Sequence, residues 1–299
     1  MKWEDYRSSD NVEDRRGDGG GFGLPIPMGR GGGLGIGGLI IVGILALVFG
    51  VDPRIVIGID EVLNNPQLQQ RGPARPVPTG KQGAPTDDLG RFVAATLAQT
   101  EDVWRQVYAQ SGQRYEEPRL VMFSGITQSA CGTAQSAMGP FYCPLDKRVY
   151  LDTSFFRDLR DRFRAPGEFA AAYVIAHEVG HHVQNLMGIL PRVQQRRQAV
   201  SKAESNALSV RTELQADCFA GVWAHYADSK LKTLEPGDIE KALAAAAAIG
   251  DDRLQRQSQG TVVPESFTHG SSQQRMTWFM NGVKSGSIQR CNTFAEAER

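Results

Sequence analysis

From Gly31 to Val51 the chain reads GGGLGIGGLIIVGILALVFGV, 21 residues without one charged side chain. As an α-helix this run would reach about 31 Å, close to the hydrocarbon thickness of a bilayer. A buried core helix or the apolar part of a cleavable leader would read similarly, and eight glycines weaken any helix there. A long polar stretch precedes the run, however, and no small-residue cleavage pattern follows it. One transmembrane helix over 31–51 is therefore expected, with the water-soluble fold built from what lies beside it.

Residues 1–30 are polar and then glycine-rich, and read as a disordered N-terminus. Residues 52–86 carry Pro53, Pro66, Pro73, Pro76, Pro78 and Pro85 and read as an extended tether. Lys2, Arg7, Arg15, Arg16 and Arg30 precede the run, while only Arg54 and Arg71 follow it closely. Basic residues favour the inner side, so the N-terminus is expected in the cytoplasm and the rest outside it. All four cysteines (Cys131, Cys143, Cys218, Cys291) lie after the run, on the side expected to be oxidising. Of the three possible pairings, Cys131 with Cys143 and Cys218 with Cys291 is the expected one. Four free thiols remain the alternative, and the lack of any CxxC argues against a cysteine zinc site. With 33 Lys plus Arg against 33 Asp plus Glu, and no basic stripe, nothing suggests a nucleic-acid partner.

The folded domain is expected over 87–299. Residues 87–112 have helical apolar spacing, with Asp87 or Asp88 as N-cap and Gly112 as stop. Residues 119–125 and 148–156 read as strands, and the small-residue segment between them as irregular. Helices follow over 167–188, within 193–231 (one or two), over 236–250 and over 271–286. A few strands followed by many helices indicate an α+β fold.

His177 and His181 lie four apart on the helix over 167–188, so both imidazoles share one face and can reach one metal ion. Glu178 is offset by about 100° and borders the same place, positioned to take a proton from an activated water. A third ligand is expected from RTELQADCFAG: Glu213 as ligand, with Asp217 one turn later accepting the free imidazole N–H of a ligand histidine. His182 and His225 fall outside this face by helical phase.

The pair HEVGHH and ELQADC resembles the gluzincin peptidases, in which HExxH is followed on a second helix by ExxxD. The wider pattern is similar to the bacterial neutral zinc metallopeptidases: NVEDRRG (11–17), the apolar run, SACG, GPFYCP, VYLD, HEVGHHVQN, ELQADC and THGSS all stand in this chain. The resemblance covers nearly the whole chain. It implies a small zincin domain of gluzincin type, one Zn2+ held by His177, His181 and Glu213, and Glu178 as general base. It also implies peptide or protein substrates and a single-pass protein of the inner membrane. His269 lies six residues before Arg275, a spacing similar to THPxxxxR in HtpX-like membrane gluzincins. That likeness implies His269 beside the metal as oxyanion donor or reversible ligand, with Arg275 bracing the site or pairing with an acid such as Asp217. The stretch Val149–Leu151 is either the edge strand that receives an extended substrate or an ordinary core strand. A zinc-stabilised adaptor without turnover, or an amidase acting on cell-wall peptides, remain the alternative functions, and the oligomeric state is unknown from sequence.

Overall fold

The computed structural model describes residues 1–17, 80–135, 139–165 and 167–295. The run Gly31–Val51 and most of the tether lie outside the described residues. Among the described residues no helix is long and apolar enough to cross a membrane.

The architecture is α+β. Among the described residues, seven strands precede or interleave with eight helices: β1 (Val12–Asp14), β2 (Lys81–Gln82), α1 (Asp88–Gln110), β3 (Arg119–Phe123), β4 (Ile126–Ser129), β5 (Gly132–Gln135), β6 (Phe141–Cys143), β7 (Arg148–Asp152), α2 (Phe155–Asp161), α3 (Glu168–Leu186), α4 (Ile189–Gln198), α5 (Lys202–Ser229), α6 (Asp238–Ala248), α7 (Asp251–Gln259) and α8 (Ser272–Ser285). The main sheet has the order β2-β1-β3-β7-β6. β1, β3 and β7 run parallel, and β2 and β6 are antiparallel edges. β4 and β5 form a separate hairpin.

Strands β3 and β7 read as almost unbroken apolar runs because both faces of the sheet are covered. Leu120, Met122, Val149 and Leu151 enter the main core beneath the helices, while Val121, Phe123 and Tyr150 enter a smaller cluster with Ala134 of the hairpin and Cys143. Burial on both faces answers the question left open for Val149–Leu151. β7 is paired on each side, by β3 and β6, and is a core strand; the edge is β6. The segment read as irregular holds the hairpin and β6. Its strands escaped notice because they are short and lack apolar alternation, and the Cys131–Cys143 disulfide fastens the hairpin turn to β6.

The largest departure from the sequence reading is at the N-terminus. Residues 1–17 are folded, not disordered, and Lys81–Gln82 of the expected tether is a strand. β1 lies inside the main sheet, Glu13 opposite Gln82 on one side and Val121 on the other. Met1, Trp3 and Val12 join the main core, and Trp3 packs edge-on against Phe92 at 5.7 Å. Composition misled because so many of the polar residues are paired. Glu13, fully buried, accepts from Arg15 Nε (2.7 Å), Arg148 Nη1 (3.0 Å) and the Gly80 amide (3.0 Å).

Two further sequence features set the helix packing that makes the site. α1 is capped by Asp87, whose carboxylate accepts from the Gly90 amide, and α8 by a capping box of Ser271 with Gln274. α5 and α8 cross at facing glycines: a Cβ on Gly221 would stand 2.0 Å from the Phe279 carbonyl oxygen, and one on Gly282 2.0 Å from that of Cys218. Backbones touch there, which brings the start of α8 against the middle of α5. The second disulfide, Cys218–Cys291, ties the C-terminal segment to α5, as the sequence suggested.

Candidate metal centre

α3 is almost wholly buried between the sheet and helices α1, α5 and α6. Its sequence EFAAAYVIAHEVGHHVQNL permits this, since its alanines and Gly180 allow close neighbours. A Cβ on Gly180 would stand 2.9 Å from the Ala216 carbonyl oxygen, so α5 lies against α3 one turn beyond Glu213.

The structure brings His177, His181 and Glu213 together, their ligand atoms all within 4.8 Å of one another. His177 Nε2 is 3.1 Å from one Glu213 oxygen and His181 Nε2 is 3.5 Å from the other. The opposite ring nitrogens are engaged elsewhere. His177 Nδ1 donates to Asp217 (2.8 Å), and His181 Nδ1 donates to Gln184 Oε1 (2.8 Å). Both imidazoles therefore turn their Nε2 lone pairs inward. Two imidazoles and one carboxylate are the donor set of a catalytic zinc site with one position left open. Ligand atoms about 2.0–2.2 Å from a tetrahedral zinc lie roughly 3.3–3.6 Å apart, so the residues present fit the ion. The two imidazoles hold the Glu213 carboxyl well below its ordinary range, against the upward push of burial.

Glu178 follows His177 on the inner side of α3 and is buried. Burial raises its pKa, and the neighbouring imidazoles only partly oppose the shift. A carboxylate made more basic in this way is suited to accept a proton near neutral pH.

Asp217 is the hub behind the ligands. It is fully buried and accepts from His177 Nδ1, from the Tyr173 hydroxyl (2.5 Å), and from Arg275 through Nε (2.8 Å) and Nη2 (2.9 Å). Its carboxyl sits at about 2: burial alone would raise it, but Arg275 and then His177 pull it down. Arg275, on α8, is 2% exposed. It reaches Asp217 across the glycine crossing of α5 and α8, which explains why that contact is so close.

Tyr173 and Gln184 went unremarked in the sequence reading. Their signal was present: Tyr173 lies one turn before His177 and Gln184 three residues after His181, on the face the ligands occupy. Gln184 donates in turn to the Thr212 carbonyl and Gln215, so it is locked as an acceptor for His181.

His269 is not among the three grouped ligands. It stands half-exposed in the turn before α8. Asp251, the first residue of α7, grips that turn: one oxygen accepts the amides of Thr268, His269 and Gly270, and the other lies 3.2 Å from His269 Nδ1. His269 Nε2 is thereby the nitrogen left for other partners. Nothing local in the sequence announced Asp251, which is 18 residues away.

His225 bonds the Val283 carbonyl, away from the metal ligands. His182 is buried between two strictly structural partners. Its Nε2–H donates to the Glu116 carbonyl (2.6 Å) and its Nδ1 accepts from the Tyr142 hydroxyl (3.0 Å), tying α3 to β6. Burial holds its pKa down at about 4, below the ordinary 6.5. The unfolded chain thus binds the proton first as pH falls. Stability should be unaffected by this group above pH 6.5, decline as pH drops to about 4, and level off below. The full effect is about 3 kcal/mol. Denaturant unfolding of His182→Asn should lose correspondingly less stability than the parent between those pH values; equal losses would refute the assignment.

A family model described as "Putative neutral zinc metallopeptidase" matches residues 1–294. The chain is 49% identical over 299 residues to "Uncharacterized protein YpfJ" of Escherichia coli (strain K12), covering 99% of this chain and 100% of that one. It is 43% identical over 263 residues to "Uncharacterized protein Rv2575" of Mycobacterium tuberculosis (strain ATCC 25618 / H37Rv), covering 85% and 86%. No solved structure matches.

Proposed function

The chain belongs to the neutral zinc metallopeptidase family, and from that premise we propose that it is a zinc-dependent endopeptidase with a minimal domain of gluzincin type. The observation that carries this reading is the convergence of His177, His181 and Glu213 with Glu178 buried beside them. A purely structural metal site has no need of a further, buried carboxylate beside its ligands whose basicity is raised.

His177, His181 and Glu213 would hold the ion. When bound, it supplies Lewis acidity that polarises a carbonyl and acidifies a water. Glu178 takes the proton of the attacking water and returns it to the departing amide nitrogen. Asp217 fixes the tautomer of His177, and Gln184 that of His181. His269, whose pKa Asp251 raises against the downward push of burial, can as the imidazolium keep its Nδ1–H on Asp251 and offer Nε2–H to the oxyanion that develops on the scissile carbonyl. An extended substrate would add to the free side of β6, which among the described residues is paired only with β7 and is joined to α3 through Tyr142 and His182. Two disulfides in the domain favour an oxidising compartment, and the run Gly31–Val51 is the membrane anchor of this reading.

The test is hydrolysis of a peptide library by the full-length chain in detergent. Cleavage should stop on chelation and return with zinc, and Glu213→Ala should lose the ion. Chelator-insensitive cleavage, or full zinc occupancy in Glu213→Ala, would remove the reading. His269→Ala should lower turnover by about 10²–10³ with KM and zinc affinity little changed, because an oxyanion donor acts only in the transition state. Weakened zinc binding in that variant would instead make His269 a ligand.

A further inference from the structure

Residues 1–17 and the domain that begins at Gly80 build a single sheet. β1 lies between β2 and β3, and Gly80 donates its amide to buried Glu13. The attachment is specific along its length. The Tyr6 hydroxyl donates to Asp102, Ser9 and Asn11 donate to Glu101, Asn11 also donates to Glu117, and the Lys2 amide donates to the Thr233 carbonyl. Strands pair at about 4.8 Å, so this sheet cannot form from two halves separated by a bilayer roughly 30 Å thick.

The chain therefore leaves the sheet after Gly17 and comes back to the same place at Gly80. A complete crossing by Gly31–Val51 would leave residue 52 on the far side and demand a return crossing before Gly80. The return stretch contains Asp52, Arg54, Asp60, Glu61, Arg71 and Arg75 and five prolines, and cannot lie in hydrocarbon. The run itself is lopsided. Six of its eight glycines fall in 31–38, leaving Leu39–Phe49 as the dense apolar part. As a helix those residues would reach about 16 Å, half the hydrocarbon thickness, a length typical of re-entrant or interfacial segments. Three of the five basic residues that suggested a cytoplasmic N-terminus are also accounted for otherwise. Arg7 pairs with Glu101 and Asp102, Arg15 with Glu13, and Arg16 with Asp14 and Asp87.

We infer that residues 1–17 and the metal-binding domain occupy one compartment, so that no single crossing of a membrane separates them. The inference rests on the anchor assigned above and is independent of peptidase activity.

Two single-cysteine variants of the full-length chain test it: Asp5→Cys, exposed on the N-terminal segment, and Lys202→Cys, exposed at the start of α5. The native cysteines of the described fold are all in disulfides. Right-side-out and inside-out membrane vesicles are treated with a membrane-impermeant maleimide. Both positions should label in the same vesicle orientation and be protected in the other. Labelling in opposite orientations would overturn the inference. In a second arm, deletion of 34–49 should release a chain with both disulfides intact from carbonate-washed membranes. A deleted chain that stayed in the membrane would overturn the anchor on which the inference rests. Neither readout requires hydrolysis, so a chain without peptidase activity would still be tested.

Discussion

Glu178→Gln should keep its zinc and its fold and lose hydrolysis. Amide and carboxylate are nearly isosteric, so the buried space beside the ligands stays filled, while the group proposed to accept the water proton is gone. Loss of a general base costs about 10²–10⁴ in rate. Because Glu178 is 7% exposed, bulk water has little access to substitute for it. Metal analysis and peptide cleavage measured on the same preparation decide the matter. Near-normal turnover with zinc bound would mean that some other group activates the water, and the assignment of roles around the metal would have to be redrawn.

Arg275→Leu should be the most damaging substitution to stability at the site. Asp217 is fully buried and ionised, and among the described residues Arg275 is its only cationic partner besides the imidazole of His177. Removing one member of such a pair leaves an uncompensated buried charge, a loss of about 3–5 kcal/mol. Tyr173→Phe deletes one hydrogen bond to the same carboxylate and should cost less, about 1.5–3 kcal/mol. Thermal unfolding of the two variants gives the ranking, and zinc affinity should fall with both as His177 loses its fixed orientation. Equal, small losses would show that Asp217 is held by the fold without its guanidinium.

The site was legible where its residues share a helix or a short spacing. HExxH and ExxxD each put their members on one face, and the two disulfide pairs followed from position along the chain. What joins the two helices was not legible, because it depends on tertiary approach: the glycine crossing of Gly221 and Gly282, and Asp251 reaching a turn 18 residues later. The α+β class and most helices followed from periodicity. α2 and α7 were missed because they are short, and α7 is strongly polar. β1 was missed for a different reason. Composition reports how much a segment can bury by itself, and three apolar side chains with a dense set of charges look insufficient. The missing information was that many of its polar groups have partners elsewhere, Glu13 on Arg148 and Asn11 on Glu117 among them.

The placing of β1 also governs how the chain assembles. Val12 faces Leu120, a neighbour made more than 100 residues later, so the sheet cannot close as synthesis proceeds strand by strand. Its first-made strand has no partner until β2 and then β3 exist, and β3 in turn receives β7. Non-local pairing of this kind slows folding, since loop-closure entropy is lost before the contacts that reward it are made. The same entropy grows only logarithmically with loop length: doubling the excursion between Gly17 and Gly80 would cost roughly 0.6 kcal/mol. Descendants of this chain are therefore free to lengthen or shorten that excursion with little thermodynamic penalty, while a single inserted residue inside β1 would turn its side chains to the wrong faces of the sheet.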